Sequence, residues 1–251
     1  MKFTIITVCL NSAKTIRRTF DSLLEQSYKD YEYIVVDGKS TDGTVEIIRE
    51  YEPKFQGRMR WISEKDKGLY DAMNKGIRMA KGDYINIMNS DDWFEKDALK
   101  KIAEVPGTPD VIYGCSRLFF PESEAMDIQR IDHRRLTERP IFHQGCFVAR
   151  TAHEKYGLYD LKYKVSADHD FLLKLYLLEL KFVALDEVIS VFSKGGFSEK
   201  NRWIYLKENF VLRYKNGVIS KGAMIRGIFS SRFLLLMEHL FLCAGKLFSF
   251  R

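Results

Sequence analysis

The residues best suited to chemistry stand at the ends of short apolar runs. Tyr84-Ile85-Asn86-Ile87-Met88 stops abruptly at Asn89-Ser90-Asp91-Asp92. Two adjacent acids at the end of a buried strand are costly to hold together unless a cation or a metal-bound phosphate neutralises them. Hard carboxylate oxygens suit Mg2+ or Mn2+, and such an ion would bridge Asp91 and Asp92 to a diphosphate. The plain alternative is that one of the two acids caps a helix starting near Phe94. Two further loops follow apolar runs. Residues 3–8 lead into Cys9-Leu10-Asn11-Ser12, and residues 33–36 lead into Asp37-Gly38-Lys39-Ser40-Thr41-Asp42-Gly43. If the three strands are parallel, the loops 7–11 (Thr7, Cys9, Asn11), 37–42 and 89–92 open on one edge, where open α/β sheets bind ligands. Amides, hydroxyls and carboxylates together suit a nucleotide. A carboxylate accepts the imide N–H of uracil, and backbone N–H groups meet phosphate oxygens. Taken alone, Asp37-Gly38 is an ordinary turn.

Three other clusters qualify. Asp168-His169-Asp170 opens an apolar helical stretch. Acids there are favoured by the helix dipole, and one of them facing a substrate hydroxyl would serve as a general base. His169 reads either as a metal ligand or as a partner of those carboxylates. His143-Gln144-Gly145 precedes Phe147 and Val148 and reads as a polar strand edge beside a ligand. Lys65-Asp66-Lys67-Gly68 precedes Tyr70, Asp71 and Asn74, with Lys67 and Gly68 able to meet a diphosphate. Solvated loop is the alternative for this last stretch.

The elements that must position these residues follow from periodicity. Residues 3–8, 33–36, 59–63 and 84–88 read as strands. Between them, Ile16, Phe20, Leu23 and Leu24, then Val45, Ile48 and Tyr51, then Ala72, Met73, Gly76, Ile77 and Ala80 fall on helical faces. Thr41 or Asp42 can cap the second of these helices. Four strands alternating with three helices in 92 residues predict an α/β protein with a parallel sheet covered by helices on both faces. Beyond Asp92 the alternation loosens. Residues 96–103 and 170–180 read as helices, and 110–113, 142–149 and 182–192 as strands. Residues 117–131 read as a hairpin or excursion, and 193–198 as a flexible loop. The expected organisation is a domain over 1–217, with a nucleotide-binding half (1–92) and an acceptor-binding half (93–217), followed by a basic, apolar helical extension over 218–251.

The chain has 251 residues, 46% hydrophobic and 29% charged, with a formal charge of +6. That length buries a sizeable core. The modest positive excess suits a phosphate-rich ligand or an anionic membrane, and no nucleic-acid-binding motif accompanies it. Cys9, Cys115, Cys146 and Cys243 lack metal-ligand spacing and read as buried reduced thiols of a cytoplasmic protein. No secretory leader is visible, and no run is long and apolar enough to span a membrane. The stretch 218–251 is rich in Phe and Leu. Lys221, Arg226, Arg232, Lys246 and Arg251 interrupt it, and Glu238 is its one acid. It is expected to lie on a membrane surface, or to pack in a homodimer.

The segments 5–11, 34–43, 66–76, 82–92, 143–148 and 166–172 together resemble the family 2 glycosyltransferases of bacterial polysaccharide assembly, in family order over residues 1–200. Residues 66–77, 168–173 and 195–198 are most similar to the colanic acid and capsule branch. The resemblance implies the GT-A fold: a Rossmann-like, mostly parallel sheet flanked by helices, here with a C-terminal amphipathic helical extension. It implies that Asp37 reads the nucleotide base and that Asp92 is the metal ligand of the family's Asp-x-Asp motif. Asp91 and Ser90 stand alongside, Ser90 replacing the motif's first acid. Thr7, Cys9, Asn11, Lys67, Gly68, Asp71 and Asn74 complete the expected donor site. Asp168 matches the Asp of the family's Glu-Asp pair, the catalytic base, with Ala167 in place of the Glu and Asp170 as substitute base. His143 and Gln144 are expected near the acceptor.

The implied reaction is inverting transfer from a UDP-sugar, with Mn2+ or Mg2+, to a saccharide or lipid-linked saccharide acceptor at the inner face of the cytoplasmic membrane. Two other readings use the same residues. A sugar nucleotidyltransferase would need a Gly-rich loop after the first strand, and residues 7–11 contain no glycine. A non-catalytic nucleotide-sugar-binding subunit has room in the Ala at position 167 and the Ser at position 90.

Overall fold

The computed structural model describes residues 2–248, with side chains described as far as Met237. The first half alternates as expected: β1 (Phe3–Cys9), α1 (Ile16–Leu24), β2 (Tyr31–Asp37), α2 (Thr44–Tyr51), β3 (Met59–Ser63), α3 (Leu69–Met79) and β4 (Tyr84–Ile87). These strands pair in parallel in the order β3-β2-β1-β4. Period-two alternation splits their side chains between two cores. Ile6, Val8, Ile34, Val36, Ile85 and Ile87 share one core, which α3 helps to cover. Phe3, Ile5, Tyr33 and Val35 face α1 and α2. Both faces being covered explains why the strands read as continuous apolar runs. The cap of α2 is Gly43 rather than Thr41 or Asp42, and Asp42, one residue earlier, accepts the Thr44 N–H at 3.1 Å.

The second half runs β5 (Trp93–Phe94), α4 (Ala98–Ala103), β6 (Val111–Phe120), β7 (Ala125–Gln129), β8 (Cys146–Ala149), α5 (Arg150–Tyr156), α6 (Ala167–Leu177), β9 (Phe182–Ser193), α7 (Phe197–Lys200), α8 (Arg202–Lys215) and α9 (Lys221–Phe248). The sheet continues β8-β6-β9-β5, with β7 hairpinned on β6. Here the sheet becomes mixed, within the mostly parallel arrangement expected. β8 lies antiparallel to both β4 and β6, and β5 antiparallel to β9. Strand β8 thus starts where β4 ends, which brings residues 143–145 beside Asn89. β6 and β9 point the same way as β4, so Ser193 finishes at that edge too. No helix begins near Phe94, so the capping alternative for Asp91 and Asp92 is also set aside.

Helix α9 follows α8 closely. A Cβ on Gly227 would lie 2.2 Å from a ring carbon of Phe210. Val218 packs against the sheet's first core, and α9 begins at Lys221. Residues 249–251 of the expected extension, Arg251 included, lie outside the described residues, and so do the side chains of Glu238, Cys243 and Lys246. Cys9, Cys115 and Cys146 are free and buried. Among the described residues no helix is long and apolar enough to cross a membrane.

Candidate active site

The β4 strand delivers Asn89-Ser90-Asp91-Asp92 to the edge where β1, β2 and β9 also end. The two acids there are not equivalent. Asp92 is buried, and both its oxygens are engaged. Oδ1 accepts the Ser193 N–H at 2.8 Å. Oδ2 accepts Gln144 Nε2 at 2.7 Å and Asn89 Nδ2 at 3.1 Å. Burial, then the charge of Asp91, raises its pKa. Asp92 is therefore a hub that joins β4, β8 and β9. Asp91 turns its carboxylate toward Gly196, where a Cβ would stand 3.4 Å from Oδ2. Burial raises its pKa as well, against the charges of Arg18, His143 and Lys200. A carboxylate pushed upward by burial is one that a cation would stabilise.

Among the described residues no three His, Cys, Asp or Glu side chains gather into a metal cage. One carboxylate plus substrate phosphates is nevertheless the usual way a small divalent ion is held beside a diphosphate. The buried Asn89 Oδ1 has no hydrogen-bond partner, a further hard oxygen at this corner. The residues of this corner, Asp91 with its carboxylate raised by burial and Asn89 with its unpaired oxygen, fit a divalent ion held beside a diphosphate.

Asp168 sits in the first turn of α6 and points back to the same corner. Its Oδ1 accepts Tyr70 Oη at 2.6 Å, and its Oδ2 lies 3.0 Å from His143 Nδ1. The far nitrogen of His143 lies 3.4 Å from Asn89 Nδ2. A chain of side chains therefore runs Tyr70–Asp168–His143–Asn89–Asp92. Burial opposes ionisation of Asp168, but its hydrogen bond to His143 and that residue's charge outweigh it and hold the carboxyl below its ordinary value. Burial likewise lowers His143, and Asp168 more than reverses this, so the imidazole lies above its ordinary value. The two directions agree, as expected of an ion pair.

Several predicted residues lie elsewhere. Asp170 accepts Asn216 Nδ2 at 2.8 Å and Tyr163 Oη at 3.3 Å, on the side of α6 turned toward the end of α8. Two positions apart on a helix, Asp168 and Asp170 cannot face one cleft. The nitrogens of His169 meet Leu136 O and Asn209 Oδ1 at 2.7 Å each, which leaves it no place among metal ligands or beside Asp168. Thr7 is buried and accepts Tyr33 Oη at 2.8 Å. Asn74 is locked to the backbone of Tyr159 through both ends of its amide. Ser90 pairs with Ser12 Oγ at 2.8 Å. Gln144 is buried under Asp92 and does not reach the surface where an acceptor would lie. These four side chains build the edge and do not line it.

On the nucleotide side, Asp37 is buried. It accepts Ser63 Oγ at 2.6 Å and the amides of Lys39 and Ser40 at 3.2 and 3.1 Å. It folds the loop, with the Cys9 thiol 3.8 Å away and pushed up by burial and by Asp37. Asn11, at φ 53, ties the first loop to the second by accepting the Thr41 N–H at 2.9 Å. Lys67 and Gly68 are exposed at the start of α3, where Asp71 accepts the Lys67 N–H at 3.0 Å.

Three residues of this corner had no role in the sequence reading. Asp66 approaches the backbone of Gly38, where a Cβ would stand 2.8 Å from its Oδ2, and it pairs with Lys75 at 2.6 Å. Tyr70 grips Asp168. Arg18 stacks 3.5 Å from the Trp93 ring centroid and donates to Asp91 O at 3.1 Å. Asp66 and Tyr70 belong to the stretch 65–74 that sequence singled out; Arg18 carried no signal.

This arrangement, a mostly parallel sheet with an acidic corner at its strand ends, defines a GT-A-like transferase. A model described as glycosyl transferase family 2 matches residues 4–160. The chain is 34% identical over 181 residues to the PGL/p-HBAD biosynthesis glycosyltransferase of Mycobacterium bovis (strain BCG), covering 69% of each chain. Among solved structures it is similar to S. aureus TarS 1–349 in complex with UDP-GlcNAc, with TM-score 0.67, 19% identity, and coverage of 91% of this chain and 70% of that one. It spans 39% of the longer TarS chain. The mannosyltransferase PcManGT from Pyrobaculum calidifontis, in complex with GDP-Man and Mn2+, aligns over 100% of this chain and 81% of its own, with TM-score 0.66 and 19% identity. The chain belongs to glycosyl transferase family 2.

Proposed function

We propose that the protein is an inverting, metal-dependent glycosyltransferase that moves a sugar from a UDP-sugar to a hydroxyl of a saccharide, carried on a lipid, in cell-surface polysaccharide assembly of the colanic acid and capsule kind. The observation that carries this reading is the continuous link from Asp168 through His143 and Asn89 to the Asp91–Asp92 corner. It holds a candidate base and a candidate diphosphate site against one cleft. The relative named for PGL/p-HBAD biosynthesis supports a glycosidic product. The UDP-GlcNAc of one neighbour and the Mn2+ of another support the donor class and the ion.

Asp168, held ionised by His143 and Tyr70, accepts the acceptor's hydroxyl proton as that oxygen attacks the anomeric carbon. The new C–O bond forms on the face opposite the bond that breaks, and the nucleoside diphosphate departs with the electron pair. One displacement inverts the carbon. Asp91 would hold a divalent ion, which would supply positive charge to offset that of the departing diphosphate. Asp92 keeps Asn89, Gln144 and Ser193 in place around it. Asp37 and Asp66 border the pocket for the base, and Lys67 and Gly68 border the phosphates. The buried free thiols fit the cytoplasm, on the inner face of whose membrane we put the reaction.

A screen of nucleotide-sugars with Mn2+, reading nucleoside diphosphate release, tests the reading. Slow hydrolysis of one or a few donors is expected without acceptor. Release from nucleoside triphosphate plus sugar phosphate, and none from nucleotide-sugars, would overturn it.

A further inference from the structure

Helix α9 carries an exposed stripe with a distinct chemistry. At about 100° per residue, with Ile225 as origin, Leu236 falls at about 20°, Phe229 at about 40° and Phe233 at about 80°. Phe229 is 69% exposed and Phe233 62%. The opposite face packs on Phe210 of α8 at Gly227, while two turns later Leu234, on that same face, is 61% exposed. Cations border the stripe on both sides: Arg226 at about 100°, and Arg232 and Lys221 at about −20° and −40°. All three are exposed. Between Arg202 and Met237 the one acid is Glu208, and its carboxylate is committed to the amides of Lys164 and Val165 at 2.7 and 3.0 Å.

We infer that α8 and α9 present this stripe to an anionic phospholipid surface, with Phe229 and Phe233 entering the headgroup boundary and Arg226, Arg232 and Lys221 pairing with lipid phosphates. Aromatic rings flanked by basic side chains, with no acid among them, are the composition of an interfacial helix. A second copy is the poorer occupant. A two-fold contact through this stripe would set these cations against each other, and the one acid between Arg202 and Met237 is committed elsewhere. Helix α9 also runs back along α8, with Gly227 at Phe210 and Arg232 over Trp203. Its later turns therefore return toward the end of α8 that carries Tyr205, whose phenol is raised by burial and by the charge of Asp168. A docked α9 would hold the cleft close to the lipid. The surface stands without the transfer reading; a lipid-carried acceptor is where the two meet.

Co-sedimentation of the full chain with phosphatidylcholine vesicles, with and without phosphatidylglycerol, tests the inference. Binding is expected with phosphatidylglycerol alone and should weaken as salt rises. The double variants Phe229→Asp/Phe233→Asp and Arg226→Glu/Arg232→Glu should each lower the partition by about tenfold or more, with unchanged circular dichroism. Equal partition of all three proteins, no preference for the anionic vesicle, or a wild-type dimer that Phe229→Asp dissolves would overturn it. Donor hydrolysis read on the same samples separates the claims. Vesicle binding without hydrolysis by any of the proteins strikes the transferase reading and leaves the surface intact.

Discussion

At the scale of single residues, the division of labour between neighbours decides the chemistry. Asp168 faces His143 and Asp170 faces Asn216 because a helix turns about 200° over two positions. Asp168 lies below its unfolded value of about 3.9, so the stability it contributes is present above that pH and lost as pH falls; His143 lies above its unfolded value of about 6.5, so its contribution is present below that pH and lost as pH rises. Their pairing therefore stabilises most between about pH 4 and 6.5. In thermal melts, the deficit of His143→Asn against wild type should peak in that window and narrow on both sides; a deficit that grows steadily toward pH 9 would contradict the ion pair. The same substitution leaves burial acting on Asp168 without its main counterweight, so the acid limb of the pH–rate profile should move to higher pH. The pair Asp91-Asp92 was legible as a binding corner, but the choice between them was not. It depends on Gln144 and Ser193, which lie 52 and 101 positions from Asp92 in the chain.

At the scale of elements, the first half was legible because each strand is followed by a helix of clear period and the parallel pairings join strands covered on both faces. The second half hid its order. β5 has two residues, α5 begins directly after β8, and α8 mixes charged with aromatic positions all round. The antiparallel seat of β8 between β4 and β6 is a long-range pairing without a local signature, and it alone brings His143 to Asn89. Close contacts between elements carry their own test. A Cβ on Gly76 of α3 would lie 2.5 Å from Ile6 Cγ2 in β1. Gly76→Ala should cost about 1–3 kcal/mol through overpacking, read as a lower Tm. Because α3 carries Tyr70, turnover should fall with it; an unchanged Tm would contradict the packing described here.

At the scale of the whole molecule, the sheet is a rigid floor with the cleft along one edge, and α9 is an outlying layer. Stability should follow that order. In native-state hydrogen exchange, β1, β2 and β4 should hold their amides longest, and α9 should open first, since one side of it rests on α8 alone. Exchange from α9 as slow as from β1 would show a partner covering its exposed stripe in solution. We further propose that residues 2–220 form the transferase unit, its two halves meeting at β4 and β8, with α9 as the attached layer.

We propose that the donor and base sites, on Asp91 and Asp168, converge on one cleft with separate tasks. Calorimetric titration of a UDP-sugar with Mn2+, paired with transfer rates, for Asp91→Asn and Asp168→Asn measures this most directly. Asp168→Asn should bind the donor as wild type does and lose about 10²–10⁴-fold in rate. Asp91→Asn should lose the Mn2+-dependent part of donor binding. Wild-type turnover in Asp168→Asn, or Mn2+-dependent binding that survives Asp91→Asn and disappears in Asp92→Asn, would contradict the account.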